Sequence, residues 1–236
     1  MSLALDRHAE HFDRLYADDP DPWDYHVSGA EAFKRRAIVH ALGAARRGRG
    51  LEIGCGNGAS TASLAPRFAS LLAVDGSAEA VALARAAAFG FRHVQVERAR
   101  LPDGFPSGRF DAVVASEVLY YLPRPALDDV LSAVARALKP EGIFVAAHAT
   151  RRFSDAEVSP AELRRRLIAG FGPPRRTRTG ADWSLLTFAA PARCLRPCVV
   201  GAARALPQPA ASLPIGPIGQ AYTLGPTSPR SRYAIS

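Results

Sequence analysis

Three glycines mark the first place where this chain could do chemistry. The run LEIGCGNG, residues 51–58, is a strand-like apolar segment that breaks into Gly54, Gly56 and Gly58. Such a turn lets backbone approach a nucleotide closely. Glu52 lies inside the run, Cys55 lies between the first two glycines, and Asp75 stands 21 residues after Gly54 with Gly76 beside it. A carboxylate at that point can accept hydrogen bonds from both hydroxyls of a ribose, although capping the helix after Gly76 is an alternative role. The spacing G-x-G-x-G is not the dinucleotide fingerprint G-x-G-x-x-G, because position 59 is Ala. Two later apolar runs end in reactive side chains. FDAVVAS leads into Ser116, Glu117, Tyr120 and Tyr121, and GIFVAAHA carries His148 near its end. Glu117 and His148 are the candidate proton acceptors, with Tyr120 beside them. Helix capping for Glu117, a satisfied core position for His148 and ordinary packing for Tyr120 are the competing roles.

These residues need strands that all deliver their carboxyl ends to one edge. The sequence supplies them. Strand patterns GRGLEIG, SLLAVDGS, HVQVE, RFDAVVAS and GIFVAAHA alternate with helical patterns. The strands are continuous apolar runs, which predicts a parallel sheet covered on both faces. The helix after the glycines is expected to run through ASTASLAPRF, the next one to close at Gly90, and a third to span ALDDVLSAVARALKPEG. The last of these carries Leu127, Val130, Leu131, Val134 and Leu138 on one side. Upstream, residues 3–18 read as an amphipathic helix with Leu5, Phe12, Leu15 and Tyr16 as its apolar side. DDPDPWDY then breaks the helix, and Ser28 with Glu31 forms a capping-box pattern for a second one. Downstream, SPAELRRRLIAGFG reads as a helix and WSLLTFAA as a last strand. From 191 to 236 there are eight prolines, four glycines and no acidic residue, so a disordered tail is expected.

The ordered set LEIGCGNG, LLAVDGS, FDAVVASEVLYYL and LKPEGIFVAAH resembles the class I S-adenosylmethionine-dependent methyltransferases over about residues 50–149. The resemblance implies a doubly wound, mostly parallel seven-stranded α/β sheet and S-adenosylmethionine as cofactor. It places the glycine loop along the amino-acid and sugar parts of that cofactor, Asp75 on the ribose, and Arg98 and Ala99 beside the adenine. Glu52, Cys55, Gly76, Ser116 and Trp23 complete the implied binding set. FDRLYADDPDPWDYHVSGAEAFKR and SEVLYYL are similar to the nodulation protein S family, which methylates a sugar amine. That similarity implies N-methylation of an amine on a small molecule, amino sugar or oligosaccharide. O-methylation of a small metabolite is the alternative. Lys34, in the pattern E-x-x-K, is expected on the cofactor carboxylate or in a surface salt bridge. Ala30 stands where the family has Tyr, and no acid follows the third strand for the adenine amino group.

Composition narrows the partners. Residues 1–150 hold 17 Lys and Arg against 18 Asp and Glu, while residues 151–236 hold 13 against 4. The net charge of +8 therefore sits in the last third. It reads as a solvated basic surface; an Arg-rich nucleic-acid-binding protein without catalysis is the contrasting class, and salt-dependent binding would reveal it. No apolar run approaches the roughly 18 residues a membrane helix needs, and the N-terminus turns polar too early for a signal peptide. A cytoplasmic protein with a small-molecule partner is expected, with no membrane partner and no signal for an oligomeric state. Cys194 and Cys198 lack the second pair a zinc site requires, so no metal is expected. The expected division is a helical cap over 1–48, a cofactor-binding domain over 49–190 and the tail over 191–236.

Overall fold

The computed structural model describes residues 2–191, with side chains from residue 7 onward. The Cys194/Cys198 pair and the expected tail, apart from Pro191, lie outside the described residues, as does the side chain of Leu5. Helices α1 (Ser2–Asp18) and α2 (Gly29–Ala41) precede β1 (Arg47–Ile53), α3 (Ala59–Leu64), β2 (Phe68–Asp75), α4 (Ala78–Ala87), β3 (Val94–Arg98) and β4 (Phe110–Ser116). Then come α5 (Arg124–Ala137), β5 (Leu138–Ala149), α6 (Pro160–Phe171), β6 (Arg176–Thr179) and β7 (Trp183–Ala189). The strand order is β3-β2-β1-β4-β5-β7-β6. β1 to β5 run parallel, and β7 is antiparallel to both β5 and β6.

The continuous apolar strands are buried on both sides, as their sequences require. On one face Leu51, Ile53, Val113, Ala115 and Phe144 pack with Leu127, Val130 and Val134 of α5 and Leu163 and Leu167 of α6. On the other, Leu71, Val114, Val145 and Leu185 pack with Ile38 of α2 and Leu64 of α3. Serines start three helices by accepting a backbone hydrogen bond: Ser28 for α2, Ser77 for α4 and Ser159 for α6. Only half of the capping box forms. Ser28 Oγ accepts from the Glu31 amide, but the Glu31 side chain turns to Lys34.

Several boundaries differ from the expected ones. Pro66 ends α3 early, in a 3-10 turn over Ala65–Arg67, and β2 starts at Phe68. α4 is capped at Ala88, two residues before Gly90. α5 stops at Ala137, and LKPEG joins β5 because Leu138 pairs with Phe110. The intervening register break is anchored by Asp111, which accepts from the Arg49 amide and from Lys139. β6, sequence RTRT, is exposed along its whole length and carried no apolar signal to be read.

The order 3-2-1-4-5 places β1 beside β4 at the point where the winding reverses. Loops leaving the carboxyl ends of those two strands diverge and open a crevice. The glycine turn leaves β1 there, and Ser116–Glu117 leave β4 there.

Candidate active site

Gly54, Gly56 and Gly58 all adopt left-handed backbone, with φ of 71°, 52° and 85°. Close approach adds to the requirement at all three. A Cβ on Gly56 would lie 2.5 Å from Tyr16 Oη, and one on Gly58 would lie 2.7 Å from Ala84 Cα in α4. Val118, just past β4, fills the space where Gly54 lacks a side chain. Asp75 ends β2 and reaches back across the loop. Its Oδ2 accepts from the Gly56 amide at 3.0 Å and its Oδ1 from the Ser77 amide at 3.0 Å. Burial raises the Asp75 pKa, and the amides of Ser77, Gly56 and Gly76 work against that rise. A floor of glycine backbone with an acid at its rim fits the sugar and amino-acid parts of an adenosine cofactor.

The other expected cofactor residues divide. Gly76 accepts from Arg98 Nε at 3.0 Å, and the exposed Arg98 guanidinium lies 3.5 Å from Asp13. The Ala99 amide donates to Asp75 O at 2.8 Å, so the chain after β3 borders the acid. Glu52 and Cys55 are different: their side chains serve the interior. Glu52 is 2% exposed and accepts from Thr61 Oγ1 at 2.6 Å; burial pushes its pKa to about 8. The Cys55 thiol packs with Ala73, Val81 and Ala84, and burial pushes its pKa up. Only the Cys55 backbone is left to border the loop, and its amide already donates to Val74 O.

Across the crevice, Glu117 is held by three donors from three elements. Lys34 Nζ of α2 is 2.8 Å from Oε1, while the Tyr120 hydroxyl at 3.0 Å and the Ala149 amide at 2.9 Å both reach Oε2. Glu117 itself has φ of 55°, the left-handed region, directly after β4. Lys34 is 5% exposed and also bonds Glu31 Oε1 at 2.9 Å, which corrects the expectation of a surface salt bridge. Burial disfavours its ammonium, but the charge and hydrogen bonds of Glu117 and Glu31 outweigh it and raise the pKa. Burial, then the neighbouring Glu117 charge, raises the Tyr120 pKa, so its phenol stays a donor. His148 is buried at the end of β5, one residue from the Ala149 amide. Its Nδ1 lies 2.8 Å from Ala149 O, which only accepts, so Nδ1 carries the proton. In the neutral ring Nε2 carries the lone pair, and that atom is buried with no hydrogen-bond partner among the described residues.

A ring of aromatic side chains from the N-terminal segment sits beside both groups. Trp23 lies 5.7 Å from Tyr16, 5.5 Å from Tyr25 and 6.2 Å from Phe12, centroid to centroid. Phe12 meets Tyr121 edge-on at 5.0 Å, and Tyr121 lies 4.5 Å from Tyr120. Polar contacts dock the segment. Asp13 Oδ1 accepts from Ser77 Oγ and the Ala78 amide, each at 2.6 Å. Asn57 Nδ2, within the glycine turn, donates to Asp21 Oδ1 at 2.9 Å and Pro20 O at 3.1 Å. Sequence reading passed over Asn57, Asp13 and the contact of Tyr16 with Gly56. The N in G-C-G-N-G was the one available signal, since an amide in a turn commonly ties neighbouring backbone.

A doubly wound sheet of this order, with a glycine turn and a distal acid at the β1/β4 crevice, defines a methyltransferase-like nucleotide fold. Residues 51–146 match the methyltransferase domain family. A solved candidate methyltransferase from Pseudomonas syringae is 30% identical, covers 67% of this chain and 97% of its own, and superposes with a TM-score of 0.60. The chain belongs to the class I S-adenosylmethionine-dependent methyltransferases. The N-methyltransferase NodS from Bradyrhizobium japonicum, solved with S-adenosylhomocysteine, has a TM-score of 0.70 at 23% identity, covering 78% of this chain and 98% of that one. Nodulation protein S of Bradyrhizobium diazoefficiens is 31% identical over 51% of this chain, and the fatty-acid O-methyltransferase of Mycolicibacterium smegmatis is 32% identical over 60% of it. The chain spans 57% and 53% of the lengths of those two relatives. No helix among the described residues is long and apolar enough to cross a membrane.

Proposed function

We propose that this chain transfers a methyl group from S-adenosylmethionine to an amine on a small molecule, of the amino-sugar or oligosaccharide class. The observation that carries the reading is the pairing of a glycine cradle at the end of β1 with a carboxylate–ammonium–phenol cluster at the end of β4, and His148 near the end of the neighbouring β5. When bound, the cofactor supplies an electrophilic methyl on a sulfonium. Backbone of residues 54–58, Asp75 and Ala99 hold its adenosine part, and Tyr16 and Trp23 close over it. Residues 1–48 act as a cap over the domain formed by 49–190.

The remaining residues handle the acceptor. An amine attacks only as the neutral base: its lone pair forms the N–C bond as the S–C bond breaks, and one proton leaves the nitrogen. Glu117 and His148 are the two candidates to receive it. Three donors already share the Glu117 carboxylate, one on Oε1 and two on Oε2, and the Lys34 charge beside it opposes protonation there. The free lone pair on His148 Nε2 has no such competitor. Glu117 then positions the acceptor and offsets positive charge, while His148 takes the proton. The aromatic ring of Phe12, Trp23, Tyr25 and Tyr121 excludes water from the transfer.

Methylation of oxygen is the second reading, and the O-methyltransferase relatives favour it. The test is isotope transfer from methyl-labelled cofactor to a panel of amino sugars and hydroxylated metabolites, with the labelled atom assigned by NMR. Label on nitrogen supports the proposal; label on oxygen alone replaces it. With the acceptor identified, His148→Ala should lower kcat by about 10²–10⁴ with S-adenosylhomocysteine affinity within a few-fold. Near wild-type turnover for His148→Ala across pH 6–9 would remove His148 as the base.

A further inference from the structure

At the other end of the sheet lies a second concave site. A cavity of about 790 Å³ is lined by Arg35, Arg36 and His40 of α2, Ser63 of α3, Arg67, and Arg176 of β6. It also reaches Gly43, which precedes β1. Arg67 and Gly43 stand before the amino ends of β2 and β1, whereas the glycine turn leaves the carboxyl end of β1. A seven-residue strand spans roughly 20 Å, so the two sites are separate.

Among the described residues the lining contains four arginines and no acid. Elsewhere in the described residues some arginines find carboxylates, Arg98 with Asp13, Arg124 with Glu162 and Arg166 with Asp128, while others such as Arg85 and Arg109 bond backbone carbonyls. None of the four lining arginines forms an ion pair among the described residues, and two of them bond to backbone carbonyls. Arg35 donates to Tyr25 O and Arg67 to Gly43 O. Close by, Arg46 donates to Phe68 O. Carbonyls position these groups without neutralising them. Arg67 Nε is buried with no hydrogen-bond partner among the described residues. Arg36 and Arg178 flank the exposed ring of Phe33, at 5.9 Å and 5.0 Å from its centroid. Like charges gathered without counter-ions repel, and a bound anion relieves that repulsion. Guanidinium forks match the oxygens of phosphate, and the volume is that of a small-molecule site.

We propose that this cleft is a binding site for a small ligand carrying two or more phosphate groups. The ligand is held by Arg36, Arg67 and Arg176, beside the exposed Phe33 ring. The proposal does not rest on the methyl-transfer reading: Arg35 touches the N-terminal cap through Tyr25 O, but the ligand is assigned to Arg36, Arg67 and Arg176, which have no role in that reading.

The test uses the full chain and inorganic tripolyphosphate, titrated by calorimetry at low and at physiological salt. One saturable site per chain is expected. The double variant Arg36→Gln/Arg176→Gln removes the two lining arginines for which no hydrogen bond to a carbonyl has to be broken. It should weaken binding by about tenfold or more, the scale on which removal of a charge-assisted hydrogen bond is felt. Arg193→Gln/Arg196→Gln removes the same charge from the basic C-terminal stretch and should change affinity less than about twofold. Circular dichroism and thermal unfolding of both variants check that they fold. ATP and AMP titrated in parallel read the contribution of the ring and of phosphate number. Absence of saturable tripolyphosphate binding overturns the proposal, as does equal weakening by both double variants, which would mean net charge alone. Binding of single-stranded RNA without any of tripolyphosphate would also overturn it in favour of a polymer surface.

Discussion

Asp75 and Glu52 are carboxylates in adjacent strands, Glu52 pairing with Ala73 two residues before Asp75, yet they are arranged for different work. Asp75 ends its strand and turns across the glycine loop, where amides orient it. Asp75→Ala should therefore weaken S-adenosylhomocysteine binding by on the order of 1.5–3 kcal/mol, the scale of a charge-assisted hydrogen bond. Calorimetry on a variant with an intact unfolding transition checks this, and unchanged affinity would take Asp75 out of the site. Glu52 lies inside its strand, bonded to Thr61, with its pKa raised to about 8 from 4.5. The folded state thus binds its proton more tightly than the unfolded chain does. Below about pH 4.5 both states are protonated and the residue is neutral in the balance. Between about 4.5 and 8 the unfolded chain ionises first, so stability falls as pH rises, by at most about 5 kcal/mol. Glu52→Gln removes that dependence. The gap in thermal midpoint between the variant and wild type should move in favour of Gln as pH is raised from 5 to 8. A constant gap would show that Glu52 ionises normally.

At the scale of elements, one buried ion-pair cluster ties α2 to the ends of β4 and β5. Lys34 and Glu117 have side chains 7% and 11% exposed, so each depends on the other for its charge. Lys34→Met leaves Glu31 and Glu117 without their cation, which should cost about 3–5 kcal/mol in denaturant unfolding. Lys34→Met/Glu117→Gln removes the orphaned charge and should recover most of that loss, since a buried pair replaced as a pair is often near neutral. Failure of the double variant to recover would mean that the lysine acts through packing rather than charge. The same cluster explains the backbone of Glu117. Left-handed φ at a non-glycine residue is unfavourable by roughly 1–2 kcal/mol, and here three donors fix the side chain that requires it. α1 is fastened at two points, by Asp13 on the first turn of α4 and by His8 at 3.1 Å from Glu157. The aromatic ring over the glycine turn depends on that fastening, because Phe12 and Tyr16 both belong to α1.

At the scale of the molecule, charge and hydrophobic pattern separate along the chain. The apolar faces of the sheet are already covered by α2 to α6 within the described residues. We propose that the residues after Pro191, which carry no acid and eight of the chain's 19 prolines counting Pro191 itself, are dispensable for folding. A chain ending at Ala190 should keep its thermal midpoint within roughly 5 °C and its cofactor affinity within a few-fold. A larger fall would mean that the C-terminal stretch docks on this domain.

The sequence by itself determined the sheet, its parallel core and the crevice. Apolar runs alternating with amphipathic helices can be buried in few ways, and glycines followed by a distant acid at a strand end mark a nucleotide turn. These are local signals, written in residues close together in the chain. Tertiary structure decided the rest. RTRT became a strand because β7 offered an open edge, and LKPEG left its helix because Leu138 could pair with Phe110. Lys34 met Glu117 across 83 positions, and Tyr16 came to rest on Gly56. Glu52 met Thr61 of α3 and Cys55 packed with Ala73, Val81 and Ala84, partners that stand beside them only in the folded chain. Ionic pairing, burial and the use of a lone pair such as that on His148 depend on distances between residues remote in sequence. No window of sequence contains those distances, so the chemistry of the site is written at the level where strands and helices meet.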